Sequence, residues 1–246
     1  MVKIAAAVLA ADFGRLGEQV REAEAAGVDG IHVDVVDGHF APILTAGPAV
    51  VQGIRKHTSL PIDVHLMVDH ELPYLAPFAE AGADVITIHL ESRDDAVESF
   101  RRIRHLGKRT GLAVTPGTIF AAAAPHLHDV DVLVVMTRNP GSAGQPFQSA
   151  ALGKLKQARA YLDKRGWTAD VMADGGIHAA NVGDVVRAGA TWVVAGSAIF
   201  GGDVRERAAT LRAAANRFSS SPRRVFTPCT SHGCSETLTS PGCPAD

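Results

Sequence analysis

Two periods of hydrophobic and polar residues alternate along this chain. In short runs apolar residues occur at every second position or continuously. In the stretches between, they recur every three or four positions. The first pattern is that of a strand and the second that of an amphipathic helix. Strand patterns cover 4–8, 31–36, 62–67, 85–89, 110–114, 132–136, 171–173 and 192–195. Helical spacing covers 15–26, where Leu16, Val20, Ala23 and Ala26 share a face, and 48–56, 72–81, 94–106, 150–164, 181–188 and 204–218. The faintest helical pattern is 118–128, which is Ala-rich and broken by Pro125. Three helices end alike, in AAGVD (25–29), EAGAD (80–84) and RAGAT (187–191). A glycine just past the last helical residue can take positive φ and close the helix, and each of these leads into the next strand.

Eight strand-then-helix units predict an α/β fold, a (β/α)₈ TIM barrel near its lower size limit. An open doubly wound sheet is the alternative, but no G-x-G-x-x-G follows the first strand. The barrel pattern occupies 1–218 as a single domain. From 219 to 246 the composition changes: half the residues are Ser, Thr or Pro, which predicts a disordered, flexible tail.

Composition narrows the function classes. The 246 residues are 46% hydrophobic and 20% charged, with a formal net charge of −2 and a pI near 6.6. That balance gives no electrostatic case for nucleic acid or an anionic membrane as partner. No leader-like h-region and no apolar run of spanning length occurs, so a cytoplasmic protein is expected. Cys229, Cys234 and Cys243 all lie in the tail segment, which excludes a disulfide framework or a thiol nucleophile in the barrel. His232 beside two of these cysteines lacks a fourth well-spaced partner for a metal cluster.

The stretch GIHVDVVDGHF (30–40) poses the chemical question. Ile31, Val33 and Val35 share one strand face, and His32, Asp34 and Val36 the other. A carboxylate buried in a strand is costly without a partner. In a parallel barrel, polar groups at the C-terminal strand ends belong to the active-site face. Those ends offer His32 and Asp34, then Asp63-Val64-His65-Leu66-Met67, His89, Met136-Thr137 and Asp174-Gly175-Gly176. Two imidazoles and two carboxylates from His32, Asp34, His65 and Asp174, converging on one centre, suit a divalent cation: Zn, Fe, Co or Mn. Taken singly, His32 reads better as an ordinary packed histidine and Asp34 as a turn cap; their shared face, with two more candidates on other strands, favours a site. His89 reads equally as a packed residue or a support for that site. His39 reads as a loop cap, and His57, His70, His105, His126, His128 and His178 as surface residues.

Glycine-rich turns follow the last three strands: Asn139-Pro140-Gly141-Ser142-Ala143-Gly144-Gln145, Asp174-Gly175-Gly176-Ile177 and Gly196-Ser197-Ala198-Ile199-Phe200. Each alone is a tight turn. Three on neighbouring strands favour a phosphate grip of backbone N–H groups, with Ser197 opening a short helix.

HVDVVDGHF, DVHLM, VMTRNPGSAGQPF, ADGGI and AGSAIF, in this order and spacing, resemble the ribulose-phosphate 3-epimerases over about residues 4–202. The resemblance implies a (β/α)₈ isomerase of carbohydrate metabolism in the pentose phosphate pathway, interconverting D-ribulose 5-phosphate and D-xylulose 5-phosphate. It implies one divalent metal ion on His32, Asp34, His65 and Asp174. Asp34 and Asp174 would double as the acid–base pair for two-base proton transfer at C3 through a metal-stabilised enediolate. It places His65, Met67, Met136, Gly141 and Asp174 at the substrate, and Gly144, Gly175, Gly176, Gly196 and Ser197 toward the phosphate. It also allows a homo-oligomer. Nothing in the sequence calls for an organic cofactor.

The chain departs from the family pattern around the pocket. Ala7 replaces a substrate-contacting serine, Val36 a methionine, Ile43 and Thr115 asparagines, and Ser142-Ala143 a Phe-Gly pair. These changes leave open a paralogous 3-epimerase of another ketose phosphate, such as a hexulose 6-phosphate. An aldol-type synthase or decarboxylase would carry an Asp-x-Lys-x-x-Asp pattern near the second strand, and that lysine is absent. A non-catalytic sugar-phosphate binder would not need both opposed aspartates, and both are present.

Overall fold

Strands rich in Val, Ile and Ala, each followed by a helix, close on themselves. A computed structural model of the chain describes residues 1–141 and 146–218. Ser142, Ala143, Gly144 and the expected tail, with its three cysteines, lie outside the described residues. The strands are β1 (Lys3–Ala7), β2 (Gly30–Val36), β3 (Ile62–Met67), β4 (Val85–His89), β5 (Arg109–Val114), β6 (Val132–Met136), β7 (Asp170–Asp174) and β8 (Trp192–Ala195). All pairs are parallel, and β8 returns to β1 to close the barrel in sequence order. The expected (β/α)₈ architecture is the observed one.

The helices are α1 (Leu16–Ala25), α2 (Pro48–Arg55), α3 (Leu75–Ala81), α4 (Ala96–His105), α5 (Phe120–Ala123), α6 (Ala151–Arg165), α7 (Val182–Arg187), α8 (Ser197–Phe200) and α9 (Val204–Asn216). The three repeated glycines, Gly27, Gly82 and Gly189, have φ of 81°, 110° and 105°, the left-handed geometry expected where helix turns to strand. The expected helix at 118–128 is split: α5 lasts four residues and a 3₁₀ helix, Ala124–Asp129, takes over. Pro125 brings no N–H and sits in the first turn of that tighter helix, where none is needed. Short 3₁₀ turns at Val8–Ala10 and Phe13–Arg15 have no counterpart in the periodicity, being too short to repeat.

Strand alternation sorts the core into layers. Ile31, Val33, Val64, Leu66, Ile86, Ile88 and Leu133 point outward and are fully buried against the helices. Each contributes roughly 1.5–3 kcal/mol by leaving water. The residues between them point into the barrel. Ala5, Ala113, Val132, Val134, Met172 and Trp192 plug the interior below the site. Above it, Val36, Ala41, Met67 and Met136 form a separate apolar cluster with Phe40 and Ile43. Between these two apolar clusters, the barrel interior holds the buried polar side chains His32, Asp34, Asp63, His65, Thr87, His89 and Asp174. Among the described residues no helix is long and apolar enough to cross a membrane.

Candidate metal and substrate site

Register brings the polar layer together. His32 on β2 stands opposite Asp63 on β3, and Asp34 opposite His65. Each histidine thus has a carboxylate beside it on the neighbouring strand. Asp174, the last residue of β7, reaches the same centre from across the barrel. His32, Asp34, His65 and Asp174 are all buried, and one ligand-type atom from each lies within 4.8 Å of all the others. These four are the residues the sequence nominated.

The distances suit a shared cation better than direct pairing. His32 Nε2 lies 3.3 Å from Asp34 Oδ1 and 3.9 Å from Asp174 Oδ2. His65 Nδ1 lies 3.4 Å from Asp34 Oδ1 and 3.5 Å from Asp174 Oδ2. Four ligands tetrahedrally placed ~2.1 Å from one ion stand about 3.4 Å apart. His32 Nε2 and His65 Nδ1 are also fully buried side-chain atoms with no hydrogen-bond partner among the described residues. Such orphans are costly unless something completes them. Two neutral imidazoles and two carboxylates would match the charge of one divalent ion, so the cluster could hold a metal ion.

Electrostatics reinforce this reading. Burial disfavours charge on Asp34, yet the facing His32 and His65 hold its carboxyl far below the usual range. Burial likewise opposes a proton on His65, but the carboxylates of Asp174 and Asp34 facing its Nδ1 outweigh it and lift the imidazole to about 9. His32 is raised well above its ordinary value by Asp34 and Asp63, again against burial. Without a cation, protons take its place between the imidazoles and the carboxylates.

Behind the cluster lie His89, one of whose two readings was a support, and Asp63, Thr87 and Glu91, to which the sequence reading gave no role. His32 Nδ1 meets Asp63 Oδ2 at 3.0 Å, and Thr87 Oγ1 donates to Asp63 Oδ1 at 2.7 Å. His65 Nε2 meets His89 Nε2 at 3.0 Å, and His89 Nδ1 meets Glu91 Oε2 at 2.8 Å. His89 therefore packs against the site, as one of its two readings had it. The alternation His89-Leu90-Glu91 was a signal that the carboxylate follows the imidazole on one side of the chain. His39 is exposed and bonded to Asp37 within its own loop, as expected.

A cleft opens from the cluster toward β6, β7 and β8. Asp34, Met67, Met136, Gly141, Asp174, Gly175, Gly176, Gly196 and Ser197 line it, together with Ala7, Leu9, Ala10 and Arg138. Every described residue nominated for substrate contact reaches this cleft except His65, which lies beneath it; Gly144 lies outside the described residues. Gly175 and Gly176 have φ of 120° and 66°, so the turn after β7 requires glycine. A Cβ on Gly175 would also meet Arg138 Cγ at 2.5 Å. Arg138 was not anticipated, because a residue just past a strand end belongs to no period. Among the departures, Ala7 lines the cleft, whereas Val36 and Ile43 sit in the apolar cluster above the site. Thr115 turns away from the cleft: its N–H and hydroxyl donate to Glu91 Oε1 at 2.8 and 2.9 Å.

The ribulose-phosphate 3 epimerase family model matches residues 3–200. The chain is 38% identical over 210 residues to the ribulose-phosphate 3-epimerase of Bacillus subtilis, covering 85% of this chain and 96% of that one. It is 40% identical over 198 residues to the enzyme of the same name from Escherichia coli, covering 80% and 88%. Among solved structures, a 3-keto-L-gulonate-6-phosphate decarboxylase from Vibrio cholerae superposes with a TM-score of 0.67 at 17% identity, covering 88% of this chain and 98% of that one, a likeness of fold alone. A barrel that gathers this cluster under these glycine turns, with relatives so similar over nearly their whole length, belongs to the ribulose-phosphate 3-epimerase family of carbohydrate isomerases.

Proposed function

We propose that the chain is a metal-dependent ribulose-phosphate 3-epimerase, interconverting D-ribulose 5-phosphate and D-xylulose 5-phosphate. The observation that carries this reading is the meeting of two partnerless imidazole nitrogens with Asp34 and Asp174 at the C-terminal mouth of the barrel.

Inverting a carbon next to a ketone requires a proton to leave one face and another to arrive on the opposite face. One base alone tends to restore the starting configuration, so two groups are needed. Asp34 and Asp174 come from β2 and β7, on different sides of the barrel mouth. Asp34, on the β2 side, is the group that accepts the C3 proton. Asp174, acting as the acid on the β7 side, returns one to the opposite face, and the roles exchange for the reverse reaction. Acid–base assistance of this kind supplies ~10²–10⁴-fold. His32, Asp34, His65 and Asp174 would hold the cation, Zn, Fe, Mn or Co. When bound, it supplies Lewis-acid stabilisation of the negative charge developing at the C2 oxygen. Met67 and Met136, with the apolar residues packed on them, exclude water from the enediolate. The N–H groups of Gly175, Gly176, Gly196 and Ser197, with the guanidinium of Arg138, bind the phosphate.

A second reading has one observation in its favour. Ala7 presents a methyl group to the cleft where the family pattern has a serine, which leaves room and one less hydroxyl contact for the sugar. That suits a 3-epimerase acting on a longer ketose phosphate, such as a hexulose 6-phosphate.

Incubation of metal-loaded protein with ribulose 5-phosphate in D₂O, followed by NMR, tests the assignment. Deuterium at C3 with formation of xylulose 5-phosphate is expected. Faster exchange with a hexulose 6-phosphate would select the second reading, and no exchange with any ketose phosphate would end both.

A further inference from the structure

The two candidate metal-binding histidines are supported differently. His32 rests directly on a carboxylate, Asp63. His65 rests on a second imidazole, His89, which in turn rests on Glu91. His65, His89 and Asp63 are all buried, at 0%, 1% and 5% exposure, so water does not substitute for these contacts.

The chemistry of the chain of contacts fixes its direction. A neutral imidazole has one donor and one acceptor nitrogen. The His65 and His89 rings lie within 15° of parallel, with centroids 5.0 Å apart. That is too far for face-to-face contact, and their Nε2 atoms meet edge to edge. One hydrogen must lie between those nitrogens, and nothing within the pair decides which carries it. Glu91 decides. Its Oε1 receives Thr115 N–H, Thr115 Oγ1–H and Thr118 Oγ1–H, which together hold it as a carboxylate. Its Oε2 can then only accept, so His89 Nδ1 must donate. His89 Nε2 is left as the acceptor, and His65 Nε2 must donate to it. The lone pair of His65 is thereby directed onto Nδ1, the atom facing Asp34 and Asp174. Lys154 Nζ donates to Thr115 O at 2.6 Å, tying this anchor to α6, and the Phe40 and His89 ring centroids lie 4.7 Å apart.

We infer that His89 and Glu91 are positioning residues of the metal site, setting through their hydrogen-bond polarity which nitrogen of His65 is free to bind the ion. The inference rests on the metal-site reading above. It also gives Thr115 a role: its hydroxyl and N–H serve the anchor instead of the sugar.

The test is divalent-ion affinity, measured by competition with a chromophoric chelator, using Zn²⁺ and Co²⁺ on the full chain. Support from outer hydrogen-bond partners of this kind is typically worth about 10–100-fold in affinity. His89→Phe and Glu91→Gln are expected to weaken binding by that factor, and the Co²⁺ visible spectrum should change in shape. In Glu91→Gln the amide cannot present an acceptor to both His89 and the threonine donors. His89→Gln is the rescue: its amide oxygen can accept from His65 while its NH₂ donates to Glu91, so affinity should return to within a few-fold of the parent. In the Zn²⁺-loaded parent, ¹⁵N NMR should show His65 carrying hydrogen on Nε2 and His89 on Nδ1. If the parent binds no Zn²⁺, Co²⁺, Mn²⁺ or Fe²⁺, the metal reading itself fails, and the positioning role with it. If the parent binds but His89→Phe and Glu91→Gln bind equally well, or ¹⁵N shifts put the His89 hydrogen on Nε2, the metal site stands and the positioning role is overturned. Should the Phe variant not fold, the Gln pair and the NMR assignment still decide.

Discussion

Asp174 is the side chain on which most depends, since it is asked both to hold a cation and to move a proton. Asp174→Asn keeps the shape and removes the proton transfer. Turnover is expected to fall by ~10²–10⁴-fold or more, with an unchanged circular dichroism spectrum. Retained turnover would remove Asp174 from the acid–base pair. Arg138 makes a separate case at the same scale. It lines the cleft beside Gly175, and it carries a charge that the surrounding glycine turns lack. A hydrogen bond to a charged group contributes about 1.5–3 kcal/mol. Arg138→Gln should therefore raise KM for the ketose phosphate, and Ki for inorganic phosphate, by at least tenfold while kcat stays within a few-fold. Steady-state kinetics in both directions would check this. An equal loss in kcat with unchanged KM would place Arg138 away from the phosphate.

Strands gave up their secrets to a period of two, because β2, β3, β4 and β7 hold their side chains at fixed alternation. His32, Asp34, His65 and Asp174 could be placed on inward faces from the sequence for that reason alone. Their supports were harder to see. Asp63 shares the inward face with His65, but only the β2–β3 register reveals that it meets His32. Glu91 and Arg138 follow strand ends, where no period exists to orient them. The helix read at 118–128 is split for a related reason: alanine favours helix wherever it occurs, and Pro125 marks where the α-helix that the alanines begin gives way to a 3₁₀ helix. Gly111 shows the register acting on function. It pairs with Thr87, and a Cβ placed there would lie 2.1 Å from Thr87 Oγ1 and 2.9 Å from its Cα. That hydroxyl is the one donating to Asp63, which steadies His32. Gly111→Ala must push β4 or the threonine aside, an overpacking cost of about 1–3 kcal/mol. Chemical denaturation should show that loss, and metal affinity should fall with it. A variant as stable as its parent would mean that β5 shifts freely at this point.

Closing eight strands into one barrel forces four buried titratable side chains together at the floor of the cleft, and the whole molecule's stability is then tied to what occupies the space between them. In the metal-free protein His65 is pushed up to about 9, with burial opposing and Asp174 and Asp34 prevailing. A group whose folded-state pKa is raised stabilises the fold fully below its unfolded value, near 6.5, and loses that contribution as pH climbs through the folded value. The window is therefore pH 6.5 to 9, and a shift of that size corresponds to roughly 3 kcal/mol. His32, also raised, acts in the same direction. A bound cation displaces these protons, so the metal-loaded protein should lack this slope. Chelator-treated protein should lose Tm between pH 6.5 and 9, by about 6–12 °C for a chain of this size, while metal-saturated protein stays nearly level. The gap between the two melting curves should widen as pH rises, because protons compete with the metal for the same atoms. Curves that stay parallel across that window would mean that proton and metal do not exchange at His32 and His65, and the cluster would lose its standing as a metal site.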